Sequence, residues 1–255
     1  TAENHGVRQL PGMDYGAEIV VVRDDGAERH KIPWNSPDDI AVTEDSKIVI
    51  SKDGTATIDQ VDVFTGDYAV MFRDQFEVAS KREELIERIL GGRFPGLEVK
   101  KITTSDLDDL SQPVTIELEL AVPRFVDIGE PQIELPPVND LLSTLSGIGN
   151  SASRPNRTQD LLLGNPRGGS LRIEITIPDG FRVGSLPEGI HLSDDRIQCD
   201  FDFKKSEKGI VIERTFRMLT PRIPPAEYES FKAIVDQVEA KLAERIILEP
   251  SKEVN

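Results

Sequence analysis

Cysteine is almost missing from this sequence: Cys199 is the only one among 255 residues. No disulfide can therefore form within the chain, and either redox compartment is compatible with it. Histidine stops at three, His5, His30 and His191. Neither His5 nor His30 has a cysteine or second histidine at ligand spacing, so a zinc site lacks its usual three or four ligands. No apolar run approaches the ~20 residues that cross a bilayer, and the residues present open on no basic-then-apolar leader. Positive charge is short as well. Lys and Arg number 30 against 46 Asp and Glu, a formal net charge of −16. A surface that acidic repels phosphate, which argues against nucleic acid and anionic membrane as partners. The chemistry-bearing signatures are also lacking. There is no G-x-S-x-G elbow and no Walker loop. Gly164-Asn165-Pro166-Arg167-Gly168-Gly169 is glycine-rich but has no lysine and no helix pattern after it, and reads as a loop entering Leu171. The chain starts at Thr1 in polar residues and reads as a fragment of a longer protein.

What is present is alternation. Val114, Ile116, Leu118, Leu120 and Val122 alternate with Thr115, Glu117, Glu119 and Ala121, the period of a half-buried strand. A charge at Leu118 is expected to be costly and one at Thr115 mild. Similar alternation marks Leu171–Ile177, Ile197–Phe203 and Gly209–Leu219. Asp24-Asp25-Gly26 and Lys52-Asp53-Gly54 are hairpin turns between short strands. Asp67–Phe76 fits a strand or a helix. Ser80-Lys81-Arg82-Glu83 has the capping-box spacing, followed by Leu85, Ile86, Ile89 and Leu90 on one side of a helix ending at Gly91-Gly92. Pro224-Pro225 then stops the last strand, and Ala226–Leu248 reads as one long amphipathic helix that trails into an apolar tail, with Tyr228, Phe231, Val235, Val238 and Leu242 as its apolar stripe. The expected fold is α+β, mainly antiparallel and β-sandwich-like, with one short central helix and one long C-terminal amphipathic helix. Its expected divisions are a tether and hairpin at 1–45, a β-rich unit at 46–130, a Pro/Ser/Gly-rich connector at 131–170 and a second β-rich unit at 171–255.

Candidate sites are few, and each has an ordinary structural reading. Cys199 is the only thiol nucleophile available, with His191 eight residues earlier as its possible base. Parity opposes the pairing. Cys199 shares a face with Ile197, Phe201 and Phe203, which predicts a buried, unreactive thiol. The acidic clusters Asp38-Asp39, Asp106–Asp109 and Asp194-Asp195 lack the alternating pattern of a calcium loop and read as solvated surface. With 46 acids, a catalytic carboxylate pair cannot be singled out. Leu141–Ile148 is an apolar stretch in polar surroundings, expected as a covering helix or, if exposed, a contact site. Arg154 and Arg157 follow it, either to bind a carboxylate or to neutralise nearby acids. No catalytic, cofactor-binding or metal-ligating residue is assigned, and no cofactor is expected.

Four passages carry a family resemblance. They are Leu10-Pro11-Gly12 with Gly16 and Ala17–Val22; Lys52–Phe76, through Gly54, Gly66, Ala69 and Arg73; Ile175–Gly180 with Leu186-Pro187; and Phe216–Phe231, through Ile223-Pro224, Tyr228 and Phe231. In this order they resemble the region of unknown function that follows the transglutaminase-like core in large multidomain proteins of bacteria. The first passage looks like the exit from that core. The resemblance places the catalytic cysteine, histidine and aspartate in the preceding core, so no catalytic position passes to this chain. It implies a non-catalytic accessory domain in an extracytoplasmic setting, with the adjacent transglutaminase-like domain as partner and neither nucleic acid nor membrane insertion involved. The rival expectations are a glycan- or peptide-binding module and, last, a carboxylate-based hydrolase.

Overall fold

The computed structural model describes residues 4–7, 9–92, 94–136 and 148–251. The Asp-Gly turn closes a hairpin of β1 (Glu18–Arg23) and β2 (Gly26–Lys31). A second hairpin pairs β3 (Ala41–Ile50) with β4 (Ala56–Phe64). Gly54 sits in its turn at φ +81°, where an added Cβ would lie 2.3 Å from the Val126 carbonyl oxygen. Helices α1 (Gly66–Phe76) and α2 (Arg82–Gly91) follow, then β5 (Glu98–Thr104) and β6 (Val114–Val122). Three short elements come next: β7 (Ile133–Glu134), α3 (Ile148–Ser151) and β8 (Leu161–Leu162). The remaining strands before the last helix are β9 (Arg167–Thr176), β10 (Phe181–Ser185), β11 (Ile190–Ser193), β12 (Ile197–Lys205), β13 (Gly209–Met218) and β14 (Arg222–Ile223). Helix α4 (Pro225–Ala243) leads into β15 (Ile247–Pro250).

The principal sheet has eight strands in the order β11-β12-β13-β9-β3-β4-β6-β5. Every neighbour is antiparallel except β3 and β9, which run parallel and join two four-stranded halves. The sheet thus runs through the expected units: residues 131–170 separate strands in sequence that are ladder neighbours in space. One face of the sheet is buried. Over β3, β4 and β6 it carries a core with Phe72 and Phe76 of α1, Ile86 and Leu90 of α2, and Ile133, Val183 and Leu248 of a three-stranded sheet ordered β10-β15-β7. Phe72 stacks on Phe64 with ring centroids 3.8 Å apart. Over β12 and β13 a second core forms against Tyr228, Phe231, Val235 and Val238 of α4. The opposite face is largely solvated, with Thr43, Asp45, Lys47, Asp59, Val61, Glu117 and Glu119 exposed.

Three expectations change. Asp67–Phe76 is helical, so the centre of the chain holds two helices rather than one. Gly66, at φ +56°, lets the chain turn out of β4 directly into α1, and Ala69, Phe72 and Phe76 then face the core. Ser80 does not cap α2: residues 79–81 form a 3-10 turn, Lys81 is the N-cap, and no side-chain cap bond forms. The last helix stops at Ala243, and the apolar tail expected after it is a strand: Ile247 and Leu248 are extended and complete the sheet between β10 and β7. The two sets of inward strand residues part company beneath the helices. Ile197, Cys199 and Phe201 lie beneath α4, whereas Leu171, Ile173 and Ile175 belong to the other core.

Candidate functional site

The buried face is apolar except along two rows that cross the parallel seam. In ladder register the first row is Phe201, Arg214, Leu171, Glu44, Asp62 and Ile116. The second is Phe203, Ile212, Ile173, Ser46, Gln60 and Leu118. Glu44 and Asp62 are thus directly opposed on adjacent strands, at 3% and 0% exposure. Opposed residues on one face hold their Cβ atoms within about 5.5 Å. The Ser46 hydroxyl donates to Glu44 Oε1 (2.8 Å) and the Gln60 amide donates to Asp62 Oδ2 (2.7 Å). Asp62 Oδ1 and Gln60 Oε1 are buried without a hydrogen-bond partner. Burial, and then the charge of Glu44, push the Asp62 carboxyl well above the ordinary carboxylate range, against the pull of the Gln60 amide.

Farther along the first row, the Arg214 guanidinium lies over the Phe201 ring, 5.5 Å from its centroid. Arg214 borders a small cleft of about 40 Å³ whose walls include Leu135, Phe203, Lys241 and Ile246. That is room for about one or two waters. Lys241 is buried there but satisfied: its ammonium donates to the Glu188 carbonyl (2.8 Å) and to Glu244 Oε1 (2.7 Å). Neither Glu44 nor Asp62 borders this cleft, the polar cleft of about 650 Å³ around Arg73 and Arg82, or the groove of about 710 Å³ at Pro178–Val183. The acids meet each other without a described opening to substrate.

The residues singled out in the sequence are dispersed. Cys199 is fully buried under α4, and burial, with a smaller push from Asp200, raises its thiol to about 12. His191 sits opposite Asp200, one residue out of phase with Cys199, and its Nδ1 lies 2.9 Å from Asp200 Oδ1. Thr215 donates to the other oxygen of that carboxylate (2.9 Å). His30 lies 3.2 Å from Glu28 on the first hairpin, and His5 lies beside Asp67. The acidic clusters have local work. Asp38 pairs with Arg217 (2.7 Å) and Asp39 accepts the Ser36 N–H (2.8 Å). Asp106 accepts the Asp108 N–H, and Asp109 accepts both the Ser111 N–H and hydroxyl. Asp194 caps the turn before β12 by accepting the Arg196 and Ile197 N–H groups. Among the described residues no group of three or more His, Cys, Asp or Glu is placed to hold a metal ion. The tyrosine hydroxyl of Tyr228 donates to the Arg154 carbonyl (2.7 Å), while Arg157 lies over the Tyr228 ring at 5.3 Å. Gly168 and Gly169 are already strand, paired with β13 and β3. Of Leu141–Ile148, residues 141–147 lie outside the described residues, and Ile148 is buried against α4.

Among the residues of the resembling passages, Arg73 has a clear task. It is buried and donates to the Asp109 (3.2 Å) and Gln112 (2.6 Å) carbonyls, tying the acidic loop to α1. The sequence reading missed Glu44, Ser46, Gln60, Asp62 and Arg214. Parity was the available signal, since Val42, Ile48, Ile50, Ile58 and Phe64 set the inward phase on which the first four fall.

Residues 133–248 match a family described as a domain of unknown function of solved structure (DUF3858). No curated protein matches the chain. A solved structure described as a "putative protease" from Parabacteroides distasonis is similar at 16% identity over 42% of this chain and 22% of its own, with a TM-score of 0.36. The chain thus spans about a fifth of that protein, and the likeness carries neither fold nor activity across. The family match begins on β7 and ends on β15, where Ile133 and Leu248 are ladder partners. It covers β9 and β11–β13, the half of the principal sheet beyond the seam, together with α4. The stretch similar to that family is closed by pairing of its own first and last strands.

Proposed function

We propose that this chain is a non-catalytic accessory region of a bacterial transglutaminase-like protein, folded beside that protein's catalytic core in an extracytoplasmic setting and shaping its substrate access or partner contact. The observation that carries this reading is the β1–β2 ribbon. It pairs with no third strand among the described residues, and Ile19, Val20 and Val22 are 39%, 60% and 77% exposed. A lone two-stranded hairpin is marginal in water, and grouped exposed apolar side chains mark a contact surface. The ribbon is nevertheless aimed. Trp34 packs on Gly16, where an added Cβ would fall 2.2 Å from the indole, and the Asn165 amide donates to the Gly12 carbonyl (3.0 Å). This is the stretch whose sequence resembles the exit from a transglutaminase-like core. The interior placement of Cys199 supports the non-catalytic part of the reading.

The test has two arms. Purified alone, the chain is expected to show no peptidase, amidase or acyl-transfer turnover; turnover abolished by Cys199→Ala would overturn the reading. Joined to its transglutaminase-like core, Val20→Lys with Val22→Lys should expose the ribbon to hydrogen exchange while leaving exchange in β3–β6 unchanged. An exchange pattern indifferent to both substitutions would remove the ribbon as the contact.

A further inference from the structure

We propose that the folded protein holds one proton on the opposed Glu44–Asp62 pair, carried by Asp62, and that release of this proton loosens the β3–β4 hairpin at the seam of the principal sheet. Two carboxylates opposed across one ladder and shut away from water cannot both ionise without strong repulsion. The groups facing Asp62 decide where the proton stays. On its own strand Gln60 offers one amide donor to Oδ2. Across β3 stands Glu44, and across β6 stands apolar Ile116. Helix α1 contributes Ala69, Phe72 and Phe76 to the same core, and its buried cation, Arg73, is committed to the Asp109 and Gln112 carbonyls. Lys241 of α4 is committed to Glu188 and Glu244.

The other buried cation on this face is Arg214. It lies two strands from Glu44 and three from Asp62. Between backbones, at ~4.8 Å per strand, that is ~10 Å against ~14 Å. The guanidinium therefore favours charge on Glu44 over charge on Asp62. Asp62, with Oδ1 unpartnered, keeps the proton. On deprotonation the O–H bond of the Asp62 acid breaks, the proton passes to solvent water, and the electron pair remains on a carboxylate facing Glu44.

The sign of the linkage follows. The Asp62 carboxyl is raised in the fold, by burial first and by Glu44 second, from an ordinary value of 3.8. Its contribution to stability is full below that value and is lost as pH rises through the folded value. One proton bound only by the folded chain lowers the folding constant by up to about tenfold per pH unit across that window. Carboxylates drawn down by partners act oppositely. Glu213, held low by its bond from Lys204, contributes above its unfolded range and loses that contribution on acidification.

Carboxyl-carbon NMR of the intact chain should show the Asp62 titration displaced upward from that of an ordinary aspartate. Denaturant midpoints measured from about pH 5 to about pH 9 should fall in the wild type and stay level in Asp62→Asn, whose amide mimics the neutral acid. Glu44→Gln should move the Asp62 titration downward. An Asp62 carboxyl that titrates as an ordinary aspartate would overturn the proposal, without reliance on any variant folding. Parallel wild-type and Asp62→Asn profiles, or a titration unmoved by Glu44→Gln, would overturn it equally.

Discussion

The two halves of the principal sheet solve the same problem with different interiors. Beyond the seam, β12 and β13 turn Ile197, Cys199, Phe201, Phe216 and Met218 toward α4, with Arg214 the polar exception. Before it, β3 and β4 turn Glu44, Ser46, Gln60 and Asp62 into a core that is otherwise apolar. The first interior is what hydrophobic burial alone would select. The second gives up some of that burial, since buried polar groups lose water and here recover only part of their hydrogen bonds. The apolar half lies within the family match, and the polar hairpin lies outside it. A difference so localised points to a local purpose in the hairpin rather than to loose design of the whole sheet.

The largest expected effect comes from adding a charge where the two kinds of interior meet. Leu118 lies inward on β6, beside Gln60 of β4 and Ile102 of β5. Leu118→Asp places a third acid next to the existing pair and removes a core side chain. A cost of about 3 kcal/mol or more is expected, read as a lowered denaturant midpoint, and the loss should be greatest above neutral pH.

The reverse change should make the polar half resemble the apolar one. Glu44→Met with Asp62→Val and Arg214→Met replaces the two buried acids, and the buried guanidinium on the same row, with apolar groups. Exchanging buried charges for well-packed apolar groups is neutral or stabilising by about 1–4 kcal/mol in comparable settings. A raised melting temperature is therefore expected, together with loss of the alkaline decline in stability. A marked destabilisation would show that the acids hold the hairpin together rather than strain it.

Cys199 sharpens the apolar side of the comparison. Opposite Phe216 and shut beneath α4, its thiol packs as a small hydrophobe. Cys199→Ala should cost about 1–2 kcal/mol through the cavity it leaves, and thiol reagents should label the native protein only at the rate of unfolding. Rapid labelling would mean that the α4 core opens readily.

Much of this was legible in the sequence because most strands alternate cleanly. The strands at Val114–Val122 and Ile197–Phe203, the Asp-Gly turns and the buried parity of Cys199 follow directly from period two. The polar hairpin did not, because β4 presents two competing phases. Val61 and Val63 offer an apolar set out of step with Ile58 and Phe64, and it is Val61 that ends up 40% exposed. Arg214 was hidden by its neighbours, one polar residue among four inward apolar ones on β13. Pairing of β3 with β9 across more than a hundred residues is a tertiary choice that no local pattern encodes. The strand after α4 was missed for a similar reason. Ile247 and Leu248 continue an apolar stretch, and only the presence of β7 and β10 as partners makes them a strand.

The smallest predicted effect bears on the register that the whole comparison assumes. Thr115 lies on β6 three residues before Leu118 and points to the solvated face, opposite Val63. Thr115→Asp keeps the backbone bond from its N–H to the Ser105 hydroxyl (3.0 Å) and adds a carboxylate near Glu117 on an already acidic surface. The change is expected to lie within about 0.5 kcal/mol, with most of any loss recovered in salt because exposed like charges are screened. Moving the pairing by a single residue would exchange the two faces of β6 and with them the sizes of the Thr115 and Leu118 effects. Equal costs at the two positions would therefore place Glu44 and Asp62 on the wrong side of the sheet. A small cost at Thr115 beside a large one at Leu118 fixes the acids inside it.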